Sequence, residues 1–147
     1  MGQYQIAVVV GSLRKDSFNR QLANAIVKLA PSEFSFQLLE IGDLPLYNQD
    51  DDANPADPVK RLKSEIAAAK GLLFLTPEYN RSMPGVLKNA IDHASRPYGQ
   101  NAWAGSQRVC WALPSAPPAL PWLSSICVMF LPIWMCRRSA SRKPLSR

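Results

Sequence analysis

No cysteine occurs in the first 105 residues of this 147-residue chain, and only one histidine, His93, occurs anywhere in it. That part of the chain therefore carries no disulfide framework. His93 has no Asp, Cys or Ser at suggestive spacing and reads as a structural or surface residue. Neither the dinucleotide fingerprint GxGxxG nor the phosphate loop GxxxxGK[ST] is present, so neither of those nucleotide sites is supported. After Gly105 there is no acidic residue and no glycine, while all three cysteines and six of the 13 prolines lie there.

The charge is as unevenly spread. The formal net charge is +6, yet residues 1–105 hold eleven Lys or Arg against eleven Asp or Glu, and residues 106–147 hold six basic residues and no acid. A nucleic-acid surface needs a basic face built into the fold with aromatics or a reading helix interleaved. The balanced first 105 residues offer none, so no nucleic-acid partner is expected. The opening MGQYQIAVVVGS has no basic n-region and an apolar run only as long as a strand, and Ile6 stands where a myristoylation signal needs Ser or Thr. A cytoplasmic protein is the expectation, with one domain or part of one.

Hydrophobic periodicity alternates between two kinds. Gln5 to Val10 is a short β-branched run ending in Gly11-Ser12, which predicts a strand buried on both faces. From Ser17 the residues Phe18, Leu22, Ala25, Ile26 and Leu29 recur at helical spacing until Pro31. Phe36 to Ile41 predicts a second strand, followed by the acidic loop GDLPLYNQDDDANPADP. Val59, Leu62, Ile66 and Ala69 predict a helix with Asp57 as N-cap and Pro58 at its first position. Gly71 to Thr76 reads as a third strand, and Pro84 opens a helix carrying Val86, Leu87, Ala90, Ile91 and Ala94. This alternation predicts an α/β fold, an open parallel sheet with right-handed crossovers and helices on both faces. In the strand order 2-1-3-4-5 the ligand crevice lies beyond the carboxyl ends of strands one and three.

The two loops that follow those strands are the most specialised in the chain. In GSLRKDSFN, Gly11 permits a tight turn, the next helix start turns backbone N–H groups outward, and Ser12, Ser17 and Asn19 add polar side chains. Arg14 adds a planar, charged fork suited to phosphate oxygens. An ordinary strand-to-helix loop with Ser17 or Asn19 as cap is the alternative. TPEYNRSMPG is stiffened at both ends by Pro77 and Pro84, with Tyr79 offering an aromatic face and Asn80 a two-sided amide for a flat heterocycle. A phosphate cradle beside a ring-holding loop describes a mononucleotide site, and flavin mononucleotide fits it.

GSLRKDSFN, PEYNRSMPGVLKNAID and the SRP at Ser95 to Pro97 together resemble the NAD(P)H-dependent FMN reductases, flavodoxin-like enzymes that include bacterial quinone and chromate reductases. The likeness runs from residue 4 to about 105. It implies that Ser12, Leu13, Arg14, Lys15, Ser17, Phe18 and Asn19 hold the FMN phosphate and that Pro77, Glu78, Tyr79 and Asn80 line the isoalloxazine. It also implies NADPH or NADH as co-substrate, hydride transfer through flavin N5 to a small-molecule acceptor with no catalytic triad, and a homodimer or tetramer. A flavin-binding electron carrier without nicotinamide activity is the reading from another class, and a membrane-tethered or truncated inactive product that aggregates through its tail is a third. Asp50-Asp51-Asp52 lacks the spacing of a calcium loop and reads as solvated, so no metal is expected. Arg81 and Arg96 face substrate, a neighbouring subunit or solvent, and hydride transfer does not require Glu78 as an acid or base.

Relatives of this kind continue with a fourth strand, a small-residue loop, a helix and a fifth strand, a pattern not legible after Gly105. Ala116 to Cys136 is free of charge, but Pro121, Pro132 and Ser124-Ser125 interrupt it as a membrane anchor. Cys110, Cys127 and Cys136 have no metal-site spacing. A slipped reading frame accounts for the change. Joining the last base of each codon to the first two of the next forces Leu at Cys110/Trp111, Gly at Trp111/Ala112, Val at Met129/Phe130, Asp at Trp134/Met135 and Val at Met135/Cys136. The neighbouring frame accommodates VLGTSQRATGTALAQQHLRNVLAYLDVP, which has the pattern of the missing strand, small-residue loop and amphipathic helix. The chain thus reads as a domain over 1–105 and an out-of-frame Pro/Trp/Cys-rich tail over 106–147, the slip falling between Gly105 and Cys110. The expected consequence is a bare edge on the third strand, which only Arg108 to Leu113 could cover.

Overall fold

The computed structural model describes residues 4–105 and 107–113, the last seven as backbone. Four strands, β1 (Tyr4–Val10), β2 (Phe34–Leu38), β3 (Gly71–Pro77) and β4 (Gln107–Leu113), form one parallel sheet in the order β2-β1-β3-β4. Helices α1 (Phe18–Leu29), α2 (Asp57–Ala68) and α3 (Gly85–Ser95) connect them, with a short 3-10 turn at Gln49–Asp51 in the long connection after β2. β1 and β3 pair from Ile6↔Gly71 to Val10↔Leu75, and every residue of β3 is buried.

The two sides of the sheet carry separate cores. Val8, Val10, Leu73 and Leu75 pack with Ala23 of α1, flanked by Leu22 and Ile26. On the opposite side Ala7, Val9, Leu72 and Phe74 meet Leu62 and Ile66 of α2, Leu87, Ala90 and Ala94 of α3, and Trp103. Trp103 is wholly buried, with its indole N–H donating to Ile91 O at 3.1 Å and its ring 5.4 Å from Phe74.

Several expectations are corrected in detail. The face α1 buries is Asn19 and Ala23 with Leu22 and Ile26 beside them; Phe18 and Leu29 are exposed, the latter at 85%. The N-cap of α2 is Ala56, and Asp57 stands inside the helix next to Pro58. β2 begins at Phe34 and ends at Leu38, while Leu39 and Ile41 stay buried as the chain leaves the ladder. Gly11 does not adopt a left-handed φ. What requires glycine there is proximity, since a Cβ would lie 2.5 Å from Thr76 Oγ1.

The edge of β3 is occupied by the one segment able to cover it, Arg108 to Leu113, extended by Gln107. β4 pairs with β3 along its whole length, from Gly71↔Gln107 to Pro77↔Leu113. The run Val109, Cys110, Trp111, Ala112, Leu113 is apolar and rich in strand-forming residues. The ladder itself uses only backbone groups. The proposed anchor at 116–136 and the cysteines at 127 and 136 lie outside the described residues.

Candidate functional site

β1 and β3 are neighbours from which the chain winds in opposite directions, to β2 on one side and β4 on the other. Ligands of open parallel sheets sit at that reversal, outside the carboxyl ends of the strands. The loops after β1 and β3 meet there: Gly11 N donates to Leu75 O at 2.8 Å, and Gly11 lies against Thr76 and Leu87.

The first loop turns at Ser17, whose N–H donates to Arg14 O at 3.2 Å, and α1 begins one residue later. Ser12, Ser17 and Asn19 are buried, whereas Leu13, Arg14, Lys15 and Phe18 are exposed. Ser17 occupies the N-cap with extended backbone, yet no side chain makes a cap hydrogen bond, and the first turn of α1 contains no acid. Asn19 Oδ1 is buried without a hydrogen-bond partner among the described residues. A helix start with free N–H groups, a positive dipole end and a buried amide in need of a partner suits an anion. If that amide is turned over, its NH2 donates instead. Arg14 folds back so that its guanidinium carbon stands 5.7 Å from the Phe18 ring centroid, close enough for a cation–π contact that keeps it at this helix start.

The second loop is rigid for reasons visible in its backbone. Pro77 ends β3 buried, and Thr76 Oγ1 donates to Pro77 O at 3.0 Å. Tyr79 and Ser82 exchange N–H···O bonds of 2.9 Å in both directions, closing a two-residue turn over Asn80 (φ 52°) and Arg81 (φ 60°). Pro84 is the N-cap of α3. Glu78 is half-buried and Tyr79 is 52% exposed. The structure thus gathers the residues singled out in both loops at one end of the sheet. Thr76 and Ser82, which fix the two loops, escaped the sequence reading; the Asn80-Arg81 pair between two prolines was the available signal for the turn. Ser95 to Pro97 is not part of this end, lying one length of α3 away, about 16 Å along its axis at 1.5 Å per residue.

A second polar cluster lies apart from the crevice. His93 is buried; its Nε2 is 2.8 Å from Pro45 O, and its ring stands edge-on to Tyr47 at 5.3 Å. Asn89 accepts from Tyr47 N and donates to Pro45 O, both at 2.8 Å. The Tyr47 phenol is pushed above its ordinary pKa, by desolvation first and then by the charge of Asp52. Of these residues Pro45 and His93, together with Asn48, Asp51, Asp52 and Lys63, line a cavity of about 240 Å3. Asp50 and Asp51 lie exposed in the 3-10 turn, and among the described residues no group of three or more His, Cys, Asp or Glu is arranged to hold a metal. No helix among the described residues is long and apolar enough to cross a membrane.

A family model described as NADPH-dependent FMN reductase matches residues 4–112. The chain belongs to that family. The match runs past Gly105 and through most of β4. Among curated relatives of this FMN reductase family member, a 2-hydroxy-1,4-benzoquinone reductase of a Burkholderia species is 63% identical over 101 residues, 69% of this chain and 55% of the relative. A solved structure of the flavoenzyme NAD(P)H:(acceptor) oxidoreductase FerB from Paracoccus denitrificans superposes with a TM-score of 0.73 at 45% identity, covering 86% of this chain and 68% of that one. The flavodoxin-like fold is shared with a WrbA-like protein of Agrobacterium tumefaciens, TM-score 0.55 at 16% identity, over 86% of this chain and 71% of that one. The chain spans about half the length of the curated relatives it matches.

Proposed function

We propose that the crevice binds FMN and that the fold serves an NAD(P)H-dependent reductase acting on quinones, chromate or similar acceptors. The observation that carries this reading is the uncapped start of α1, with Asn19 Oδ1 buried and unmatched, beside the closed turn of Tyr79 to Ser82. Ser12, Ser17, Asn19 and the first N–H groups of α1 would take the phosphate, with Arg14 supplying full charge and Leu13, Lys15 and Phe18 forming the outer wall. Pro77, Glu78, Tyr79 and Asn80 would line the ring system, the two prolines keeping that wall in place without ligand. Bound FMN would supply the two-electron chemistry, hydride in from the nicotinamide and out to the acceptor. The chain's own task is to orient the cofactor and leave one face open, for which the exposed Tyr79 stands at the rim. The names of the relatives, quinone reductase and 2-hydroxy-1,4-benzoquinone reductase, support the acceptor class. By the family resemblance the assembly would be a homodimer or tetramer.

Arg14→Ala tests the phosphate assignment. FMN binding should weaken by roughly 1.5–3 kcal/mol, the range for a charge-assisted contact, while riboflavin binding stays unchanged in a fluorescence titration. Equal losses for both flavins remove Arg14 from the phosphate site. NADPH oxidation with a quinone separates a reductase from an electron carrier.

The reading extends to the last third of the chain, which the charge break and forced codons assign to a slipped frame between Gly105 and Cys110. A shifted strand remains apolar enough to pair, so β4 is compatible with such a slip. Sequencing the gene through the codons for residues 100–115 decides it; an uninterrupted frame in several independent isolates refutes the slip.

A further inference from the structure

Asn80 and Arg81 occupy the left-handed region at φ 52° and 60° in the two-residue turn between Tyr79 and Ser82. Turns with both central residues at positive φ favour Asn and Gly, because a side chain at the second position is crowded there. Asn80 suits such a turn; Arg81 does not. Among the described residues Arg81 has no ion pair, whereas Arg61 binds Asp43, Lys88 binds Asp92 and Lys60 binds Asp57. Its side chain is exposed at the end of the sheet where Arg14 and Lys15 also stand exposed. An unfavourable backbone conformation retained at a ligand-facing loop points to a use for the side chain rather than for the turn.

We propose that Arg81 sets substrate preference by docking an anionic group at the mouth of the crevice. The group is either the 2′-phosphate of a reduced dinucleotide or the ionised oxygen of a hydroxylated quinone, since a guanidinium fork serves both. The inference rests on the function proposed above.

Arg81→Gly gives the turn its preferred residue while removing the cation, so the full chain should melt at or above the parent's temperature. With FMN supplied, two pairs of ligands are compared in parent and variant. Adenosine 2′,5′-bisphosphate against adenosine 5′-monophosphate, by calorimetry, isolates the 2′-phosphate without any turnover. A hydroxylated benzoquinone against its unsubstituted parent, by steady-state KM, isolates the phenolate. Roughly tenfold weaker binding of the extra-charged member of one pair, with its counterpart unchanged, is expected from loss of one charge-assisted contact. Arg81→Lys should restore much of it. Loss confined to the bisphosphate assigns the dinucleotide; loss confined to the hydroxylated quinone assigns the acceptor. Unchanged affinities, or equal losses within a pair, overturn the inference and leave the FMN reading standing. A parent chain that binds neither FMN nor a nicotinamide dinucleotide overturns both.

Discussion

The connection from Leu39 to Ala56 and the two loops framing the crevice are all polar surface segments, but they dispose of their polar groups differently. In the long connection, Pro45 O and Tyr47 N are tied to Asn89, Pro45 O also meets His93, and Tyr47 reaches Asp52. Asp43 and Glu40 O are both held by Arg61. At the crevice Ser17 caps nothing with its side chain, Asn19 Oδ1 is unmatched, and Arg14 and Arg81 have no carboxylate partner among the described residues. Chemical variety is therefore a poor guide to a site. The segment that holds Asp43, Tyr47 and Asp52, with His93 beside it, spends them on its own structure, while the plainer loops leave Asn19 Oδ1 and the Ser17 cap position unmatched among the described residues.

The comparison breaks most severely at Gly11, where the crevice leans on the scaffold. Gly11→Ala places a Cβ 2.5 Å from Thr76 Oγ1 and 3.1 Å from Leu87 Cδ2. Overpacking of this kind costs roughly 1–3 kcal/mol, and FMN affinity should fall with it because both loops must part. Gly85→Ala, with nothing within 4 Å, is the control and should keep both stability and binding.

A pair of asparagines sharpens the contrast. Asn89→Ala removes both anchors of the long connection and should cost about 1–2 kcal/mol in denaturant unfolding without changing FMN affinity. Asn19→Ala removes a buried oxygen that is not bonded, so it should cost less stability than Asn89→Ala yet weaken FMN binding. If Asn89→Ala damages FMN binding more than Asn19→Ala does, the division between anchored and available groups is wrong.

How much of this the sequence disclosed depended on what each residue was asked to do. Val59, Leu62 and Ile66 are buried as their spacing predicts, because large apolar side chains announce a helix face. In α1 the same rule found the period but not the phase: Phe18 and Leu29 are exposed, while Asn19 takes an inward position that apolarity cannot flag. The loops of the candidate site were legible because Gly11, Pro77 and Pro84 mark fixed backbone at two strand ends. Gly11 was legible only as a glycine; that it answers to Thr76, 65 positions away, is tertiary information. The partnership of β3 and β4 was legible in part: Arg108 to Leu113 stood out as the one segment able to cover that edge, although the change of composition after Gly105 speaks of side chains and a ladder pairs backbones.

The smallest effect belongs to a surface pair. The Arg61 guanidinium holds the Asp43 carboxyl below its usual range, mainly by their hydrogen bond. A carboxylate depressed in the folded state stabilises fully above its unfolded pKa, about 4, and loses that contribution as pH falls through the lowered value. Both partners are partly exposed, at 37% and 42%, so the contribution is below about 1 kcal/mol. Asp43→Asn should lower stability slightly at neutral pH and flatten its decline in acid, with no difference from parent once the Asp43 carboxyl of the parent is protonated in both folded and unfolded states.

Amide chemical shifts on titrating FMN into the isotopically labelled full chain test the central claim most directly. The account predicts changes concentrated at Ser12, Ser17, Asn19 and Tyr79 to Ser82, with little change from Asp43 to Asn54. Shifts centred on the cavity beside His93 and Asp52, or none at saturating FMN, would contradict it.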